Sequence, residues 1–301
     1  MKTILLTGAS GFTGQHLIKY ASSLGYNIVA LCHKEKEYVN GCSDIIVADL
    51  GDKPTLKREL SRIKPDFVIH LAAISFVAHG NVKDIYSTNL IGTVNLLDCL
   101  IELSFPIQKV LIASSGNVYG NNNQLPISEN TLPSPVNDYA VSKYAMELAV
   151  QLRFSELPII LVRPFNYTGY GQAEHFLIPK IVHAFKQNNK TIELGNLDVA
   201  RDFSDVRDVV AAYIKLLESN VHSEVFNICT GKAISLLCVI EMLDTLAGYK
   251  IDVSVNPEFV RENEIKELYG NNQKLVDVIG EYQNYQFADT LQWMYQHGVS
   301  K

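Results

Sequence analysis

The strongest constraint on the fold is a rhythm of short, unbroken apolar runs separated by helix-length stretches. "TILLT" (3–7), "NIVALC" (27–32), "DIIV" (44–47), "DFVIHL" (66–71), "KVLIAS" (109–114) and "PIILV" (158–162) are bounded by Gly, Pro, Asp or Asn and lack polar alternation. A strand that is apolar at every position needs cover on both faces, as in a parallel sheet flanked by helices. Helical stretches at about 14–24, 54–63, 84–103 and 139–155 supply that cover. Strands joined through helices cross over right-handed, so the spacing predicts an α/β fold with a doubly wound parallel sheet.

Between the first run and the first helix stands "TGASGFTG" (7–14). Glycine permits a tight turn and a close backbone approach, and the helix N-terminus that follows offers N–H groups to an anion. Gly8, Gly11 and Gly14 are spaced G-x-x-G-x-x-G. A glycine turn can be purely structural, but in this βαβ position the loop predicts a dinucleotide and a Rossmann-type sheet. NAD sites place an acid at the end of the second strand, for the ribose 2′-hydroxyl. Here that strand runs into Cys32, His33 and Lys34. The basic pair favours a 2′-phosphate and hence NADP(H); Glu35 keeps NAD(H) open.

After residue 164 the rhythm loosens. Turn residues cluster at 166–172, and helices are expected at about 175–187, 207–218 and 235–248. We read residues 1–165 as the dinucleotide-binding domain. Residues 166–301 are read mainly as a smaller α/β substrate-binding lobe, with some segments returning to the first domain.

Composition removes several function classes. The chain has 301 residues, 47% hydrophobic and 19% charged, with a net charge of −6. These are globular values, and the acidic balance argues against a nucleic-acid partner. Five cysteines, odd in number, widely separated and without C-x-x-C, predict buried thiols in a reducing compartment and neither a disulfide frame nor a zinc site. The longest near-apolar run, Phe67 to Ala78, is too short to span a bilayer. The opening "MKTILLTGAS" is too short for a signal-peptide core. A cytoplasmic protein without a membrane partner is expected.

The chemistry is expected where "DYAVSKYAMELAV" (138–150) starts a helix. Tyr139 and Lys143 share one face, one turn apart. The spacing alone also fits an ordinary surface helix. Ser114 and Ser115 end the fifth strand, however, and ligands sit beyond the carboxyl ends of such strands. A Ser hydroxyl, a Tyr hydroxyl and a Lys ammonium then converge near a nicotinamide. Reducing a ketone leaves an alkoxide that needs a proton. An ammonium next to a phenol lowers the phenol's pKa toward the working range, and a serine holds the carbonyl oxygen. Ala140, Val141, Ala145, Met146, Leu148 and Ala149 are expected to pack the helix against the sheet or a partner.

Six motifs in order, "TGASGFTG", "HLAA" (70–73), "STNLIGTVNLL" (87–97), "SSGNVYG" (114–120), "YAVSK" (139–143) and "RPFN" (163–166), resemble the extended short-chain dehydrogenase/reductases that act on nucleotide sugars. "LGNLDVARDFSDVRDVVAAY" (194–213) and "NPEFVRENEIKELYGNNQKL" (256–275) are similar to the branch of GDP-mannose 4,6-dehydratases and GDP-4-keto-6-deoxymannose reductases. The resemblance implies Ser115, Tyr139 and Lys143 as the catalytic set. It implies a cofactor held by Gly8, Gly11, Phe12, Thr13, Gly14, His33, Lys34, Asp49, Leu50, Leu71, Ala72, Ala73, Asn89 and Pro164, with Tyr139 and Lys143. On the substrate side, Arg201 and Arg261 would hold the diphosphate and Glu264 the nucleotide ribose. Asn166 and Phe176 would line the nucleotide pocket, with Ser75, Ser115 and Asn117 toward the sugar. The branch also implies a homodimer through the helices at about 88–103 and 139–155.

Two positions depart from the branch. Where its dehydratases carry a glutamate, two residues after the catalytic Ser/Thr, this chain has Asn117. An amide cannot deliver or accept that proton, which argues against dehydration. Where the branch has Gly-Asp, this chain has Gly270-Asn271. The expected activity is NADPH-dependent reduction of the C4 ketone of a nucleotide-linked 4-keto-6-deoxyhexose, GDP-linked in preference to dTDP-linked. A 4-epimerase retaining NAD uses the same three residues, and a non-catalytic dinucleotide-binding regulator is the reading from another class.

Overall fold

Every one of the six apolar runs forms a strand in the computed structural model, which describes residues 1–33, 39–75, 81–103, 105–122, 124–260 and 264–297. The first half runs β1 (Thr3–Thr7), α1 (Phe12–Ser23), β2 (Asn27–Cys32), β3 (Asp44–Val47), α2 (Lys53–Ile63), β4 (Phe67–His70), α3 (Val82–Tyr86), a π-helical stretch (Ser87–Gly92), α4 (Thr93–Leu103), β5 (Lys109–Ala113), α5 (Asp138–Gln151) and β6 (Ile159–Pro164). The second half continues with β7 (Asn166–Thr168), α6 (Leu177–Lys186), β8 (Thr191–Leu194), β9 (Ala200–Arg201), β10 (Phe203–Asp205), α7 (Val206–Glu218), β11 (Glu224–Ile228), β12 (Ile234–Ser235), α8 (Leu236–Ala247), β13 (Asp252–Val255), β14 (Glu267–Leu268), α9 (Gln273–Ile279) and α10 (Phe287–His297).

Seven strands form one sheet in the order β11-β6-β5-β4-β1-β2-β3, and every neighbouring pair is parallel. The runs inside the sheet are buried on both faces, for the reason read from their composition, whereas edge strand β3 buries Ile46 and leaves Ile45 and Val47 exposed. Along β1, Ile4 and Leu6 pack with α1 and α7, through Leu17, Ile18, Val209 and Tyr213. Leu5 points the other way, into a layer with Leu56, Leu97, Leu100 and Met146 of α2, α4 and α5. All three β1 side chains are fully buried, and truncating one to alanine costs about 2–5 kcal/mol. The strand order reverses between β1 and β4, and this switch point opens a crevice at the carboxyl ends.

The continuous helix expected over 84–103 is instead α3, the π-helical stretch and α4. Thr93 Oγ1 donates to the Asn89 carbonyl at 2.8 Å, and it is also bonded to His70 at 2.8 Å. A threonine hydroxyl that takes the carbonyl four residues back competes with the helical ladder there. The expected helix over 139–155 ends at Gln151 and gives way to turns. Ala140 and Met146 are buried, Ala145 and Ala149 half-buried, and Val141 and Leu148 exposed.

Strand β11 is supplied by the second half and completes the sheet beyond β6. The remaining late elements gather around a separate apolar cluster that includes Ile181, Phe185, Leu194, Val239, Leu243 and Met294. Strands β7 and β10 pair directly after β6, carrying the chain past the crevice. Of the cysteines expected to be buried, Cys32, Cys99 and Cys229 are, whereas Cys42 and Cys238 are half-buried. No helix among the described residues is long and apolar enough to cross a membrane.

Candidate active site

The crevice is a cleft of about 970 Å³. Its floor is the glycine loop. Gly8 adopts φ +69°, and a Cβ there would stand 2.8 Å from the Ala72 nitrogen. A Cβ on Gly14 would stand 2.4 Å from the Gly8 carbonyl oxygen. These glycines draw α1 against β1 and the Leu71–Ala72 backbone. The helix has no acidic residue in its first turn, so its unpaired N–H groups and positive dipole end remain suited to a phosphate.

Strand β5 and helix α5 bring the polar groups together. Ser115 follows β5 in extended conformation (φ −159°, ψ 145°), and its Oγ accepts the Asn117 N–H at 3.2 Å. Asn137 caps α5 by accepting the Ala140 N–H at 2.9 Å, which fixes where the helix starts and therefore which face carries Tyr139. Tyr139, Lys143, Ser114 and Ser115 are all buried and all line the cleft. The Lys143 ammonium donates to the Ala113 carbonyl at 2.8 Å. The Ser114 Oγ is buried without a hydrogen-bond partner, an orphaned polar atom facing the space a ligand would fill.

The electrostatics differ from the expectation in one respect. Burial pushes the Tyr139 phenol up to about 12, and a hydrogen bond with Ser115 is the influence that lowers it. The expected lowering by Lys143 is not among the causes. The ammonium is engaged with Ala113, and loss of water around the phenolate dominates. Lys143 is itself pushed down to about 8 by burial, against the upward pull of Glu147. Tyr139 is thus protonated across the physiological range, as a proton donor must be.

A family model described as "NAD dependent epimerase/dehydratase family" matches residues 4–229, which include the glycine cradle, Ser115, Tyr139 and Lys143. The chain belongs to this family. It is 36% identical over 298 residues to GDP-6-deoxy-D-talose 4-dehydrogenase of Aggregatibacter actinomycetemcomitans, covering 98% of this chain and 97% of that one. It is 36% identical to GDP-6-deoxy-D-mannose reductase of Pseudomonas aeruginosa, covering 92% of this chain and 90% of the relative. A solved structure of RMD from Pseudomonas aeruginosa, complexed with NADPH, superposes with a TM-score of 0.86 at 31% identity, covering 98% of each chain. The cofactor of this epimerase/dehydratase-family chain is accordingly a nicotinamide dinucleotide, NADP(H) or NAD(H).

Of the residues expected in the site, Gly8, Gly11, Phe12, Thr13, Gly14, His33, Asp49, Leu50, Leu71, Ala72, Ala73 and Pro164 line the cleft, as do Ser75, Asn117, Asn166 and Phe176. Lys34 and Arg261 lie outside the described residues. Asn89 is fully buried and does not line the cleft. Its side chain accepts the Ile74 N–H at 2.8 Å and donates to Ser142 Oγ at 3.0 Å. Ser142 in turn donates to the Tyr139 carbonyl at 2.7 Å. Asn89 therefore fastens the loop after β4 to the first turn of α5. Arg201 and Glu264 also stand off the cleft wall. They pair with each other at 2.6 Å, and Arg201 further donates to the Ala200 and Lys266 carbonyls.

Several contributors were not singled out from the sequence. Tyr167 lines the cleft and bonds Thr13 Oγ1 at 2.8 Å, tying β7 to α1. His70 sits behind the wall between Thr7 Oγ1 (2.7 Å) and Thr93 Oγ1 (2.8 Å). Because Thr93 gives its proton to the Asn89 carbonyl, it accepts from His70 Nε2–H, and His70 Nδ1 accepts from Thr7. The network assigns a neutral tautomer. Burial, followed by the charge of Lys143, pushes the imidazole down to about 3, so it stays neutral. The motif "HLAA" marked His70, but only its tertiary partners give it a role.

Proposed function

We propose that this enzyme interconverts the C4 ketone and C4 alcohol of a GDP-linked 6-deoxyhexose, with NADPH as the preferred reductant. The observation that carries the reading is the convergence of Ser115, Tyr139 and Lys143 on the cleft that the glycine loop floors. When bound, a nicotinamide dinucleotide gives hydride to a ketone or takes it from an alcohol. The Ser115 hydroxyl holds the substrate oxygen, and Tyr139, protonated in its buried setting, supplies the proton that an alkoxide needs. Lys143 holds the nicotinamide ribose and, when the cleft is filled, favours the phenolate left behind. The Asn117 amide is neither acid nor base near neutral pH, which supports simple oxidation or reduction over dehydration.

The two relatives are named for GDP-6-deoxyhexoses, one as a 4-dehydrogenase and the other as a reductase, which supports oxidation or reduction of a GDP-linked 6-deoxy sugar here. The protonated Tyr139 supports reduction as the working direction. NADPH is supported by His33 at the end of β2, which lines the cleft beside Asp49, and by the NADPH complex of RMD. The exposed Val141, Leu148 and Leu152 lie on one face of α5 and just beyond it, and support a homodimer. The odd number of cysteines and the lack of a C-x-x-C pair support a reducing, cytoplasmic setting.

Incubation with NADPH and a panel of GDP- and dTDP-4-keto-6-deoxyhexoses, with NMR of the products, tests the reading. We expect NADPH consumption and a C4 alcohol on the GDP sugar, and a loss of about 10²–10⁴ in kcat for Tyr139→Phe. Unchanged turnover in Tyr139→Phe would remove the catalytic assignment. Protein that purifies with NAD bound and inverts C4 without consuming NADPH would point to the epimerase.

A further inference from the structure

Helix α5 carries a third buried ionisable group on the face of Tyr139 and Lys143. Glu147 lies one turn beyond Lys143 and is fully buried. Arg163 of β6 clamps it, with Nε at 2.9 Å from Oε1 and Nη2 at 2.6 Å from Oε2. Arg163 Nη1 donates to the Tyr119 hydroxyl at 2.8 Å, Tyr119 donates to Asn227 Oδ1 at 2.7 Å, and the Asn227 N–H donates to Glu129 at 2.8 Å. The chain of contacts ties α5, β6, β11 and the turn after β5 into one unit.

As a fastener alone, the pair is an expensive choice. Replacing a buried ion pair by apolar residues of similar volume is often neutral or stabilising. Its place on the helix gives a further reason for it. The Lys143 ammonium is nearly dry, with the Ala113 carbonyl as its hydrogen-bond partner. The charged or titratable groups facing it are Glu147 and Tyr139 on its own helix and His70 on β4, with Arg163 of β6 behind Glu147. Asp84 of α3 lines the same cleft. Tyr139 and His70 are neutral at physiological pH, so Glu147 is the anion beside Lys143 on that helix face. We propose that Glu147, clamped by Arg163, is a positioning residue whose buried negative charge keeps the Lys143 ammonium charged inside the cleft.

The inference rests on Lys143 acting in the proposed reaction, but it can be measured without that reaction. Full-length protein labelled with ¹³C at lysine Cε is titrated by NMR, with the Lys143 signal assigned by its loss in Lys143→Arg. In Glu147→Gln we expect the Lys143 midpoint to fall by about one to two pH units. The alkaline limb of the kcat–pH profile should fall with it. A purely structural Glu147 would lower stability or the height of the profile without moving its midpoint. Glu147→Gln leaves a lone buried guanidinium, so the double variant Glu147→Gln/Arg163→Met removes the pair as a unit. Because Glu147 and not Arg163 is the charge that acts on Lys143, the double variant should still show a fall in the same direction. An unmoved Lys143 midpoint in whichever of the two variants folds overturns the inference. A midpoint that falls while Tyr139→Phe still turns over keto-sugars upholds it and removes the proposed reaction instead.

Discussion

Lys143→Met should make the protein more stable while abolishing its cofactor chemistry. Burial holds the Lys143 ammonium at about 8 against an ordinary value of 10.5. That gap corresponds to about 3 kcal/mol by which the charge weakens the fold. Methionine matches the length of the stem and brings no charge, but forfeits the hydrogen bond to Ala113, which contributes about 1 kcal/mol. The net expectation at pH 7 is a gain of about 2 kcal/mol. The pH dependence carries a definite sign. Below about pH 8 the lysine is protonated in both the folded and unfolded chains, and the handicap is present in full. Between about 8 and 10.5 the folded chain has released the proton and the unfolded chain still holds it, so the wild type gains on the variant as pH rises. Above 10.5 the charge handicap is gone and the hydrogen bond to Ala113 leaves the wild type about 1 kcal/mol ahead. Urea unfolding followed by circular dichroism from pH 6 to pH 10 reads both effects. A variant less stable than wild type at pH 7, or a gap that does not change with pH, would refute the reasoning.

Two further outcomes test the cradle and the assembly. Gly14→Ala places a methyl group 2.4 Å from the Gly8 carbonyl oxygen and 2.7 Å from the Ala9 Cα. Neither is a flexible atom, so α1 must shift; NADPH binding by fluorescence titration should weaken at least about tenfold, with a stability loss of about 1–3 kcal/mol. Leu148→Glu/Leu152→Glu adds charge to a face that is 49% and 79% exposed at these positions. Light scattering should report a dimer for the wild type and a monomer for the variant, and identical masses would remove the homodimer.

What could be read from the sequence follows from what is local. The six apolar runs became strands because continuous burial is written residue by residue. The Gly8–Gly14 loop and the four-residue step from Tyr139 to Lys143 are short-range patterns whose geometry depends little on distant contacts. The π-helical stretch was invisible because it depends on Thr93 meeting His70 of β4. Asn89 was expected on a cofactor, but its amide is consumed by Ile74 and Ser142. Arg201 was expected on a diphosphate, and its rotamer is set by Glu264, remote in sequence. The Tyr139 pKa was misjudged because spacing reports which charges are near but not how much water is lost.

The order of strands in the large sheet bears on how the chain emerges during synthesis. Strand β6 is finished at Pro164, yet its outer neighbour β11 begins only at Glu224. Helix α7, which covers the sheet beside α1, lies in the same interval. Until that stretch has left the ribosome, a nearly complete nucleotide-binding half carries an unpaired parallel edge and an uncovered apolar face. Such an edge recruits other chains. A nascent chain paused between residues 165 and 224 is therefore the species most in need of a chaperone, and a dinucleotide-binding fragment cut at residue 165 would inherit the same exposed edge.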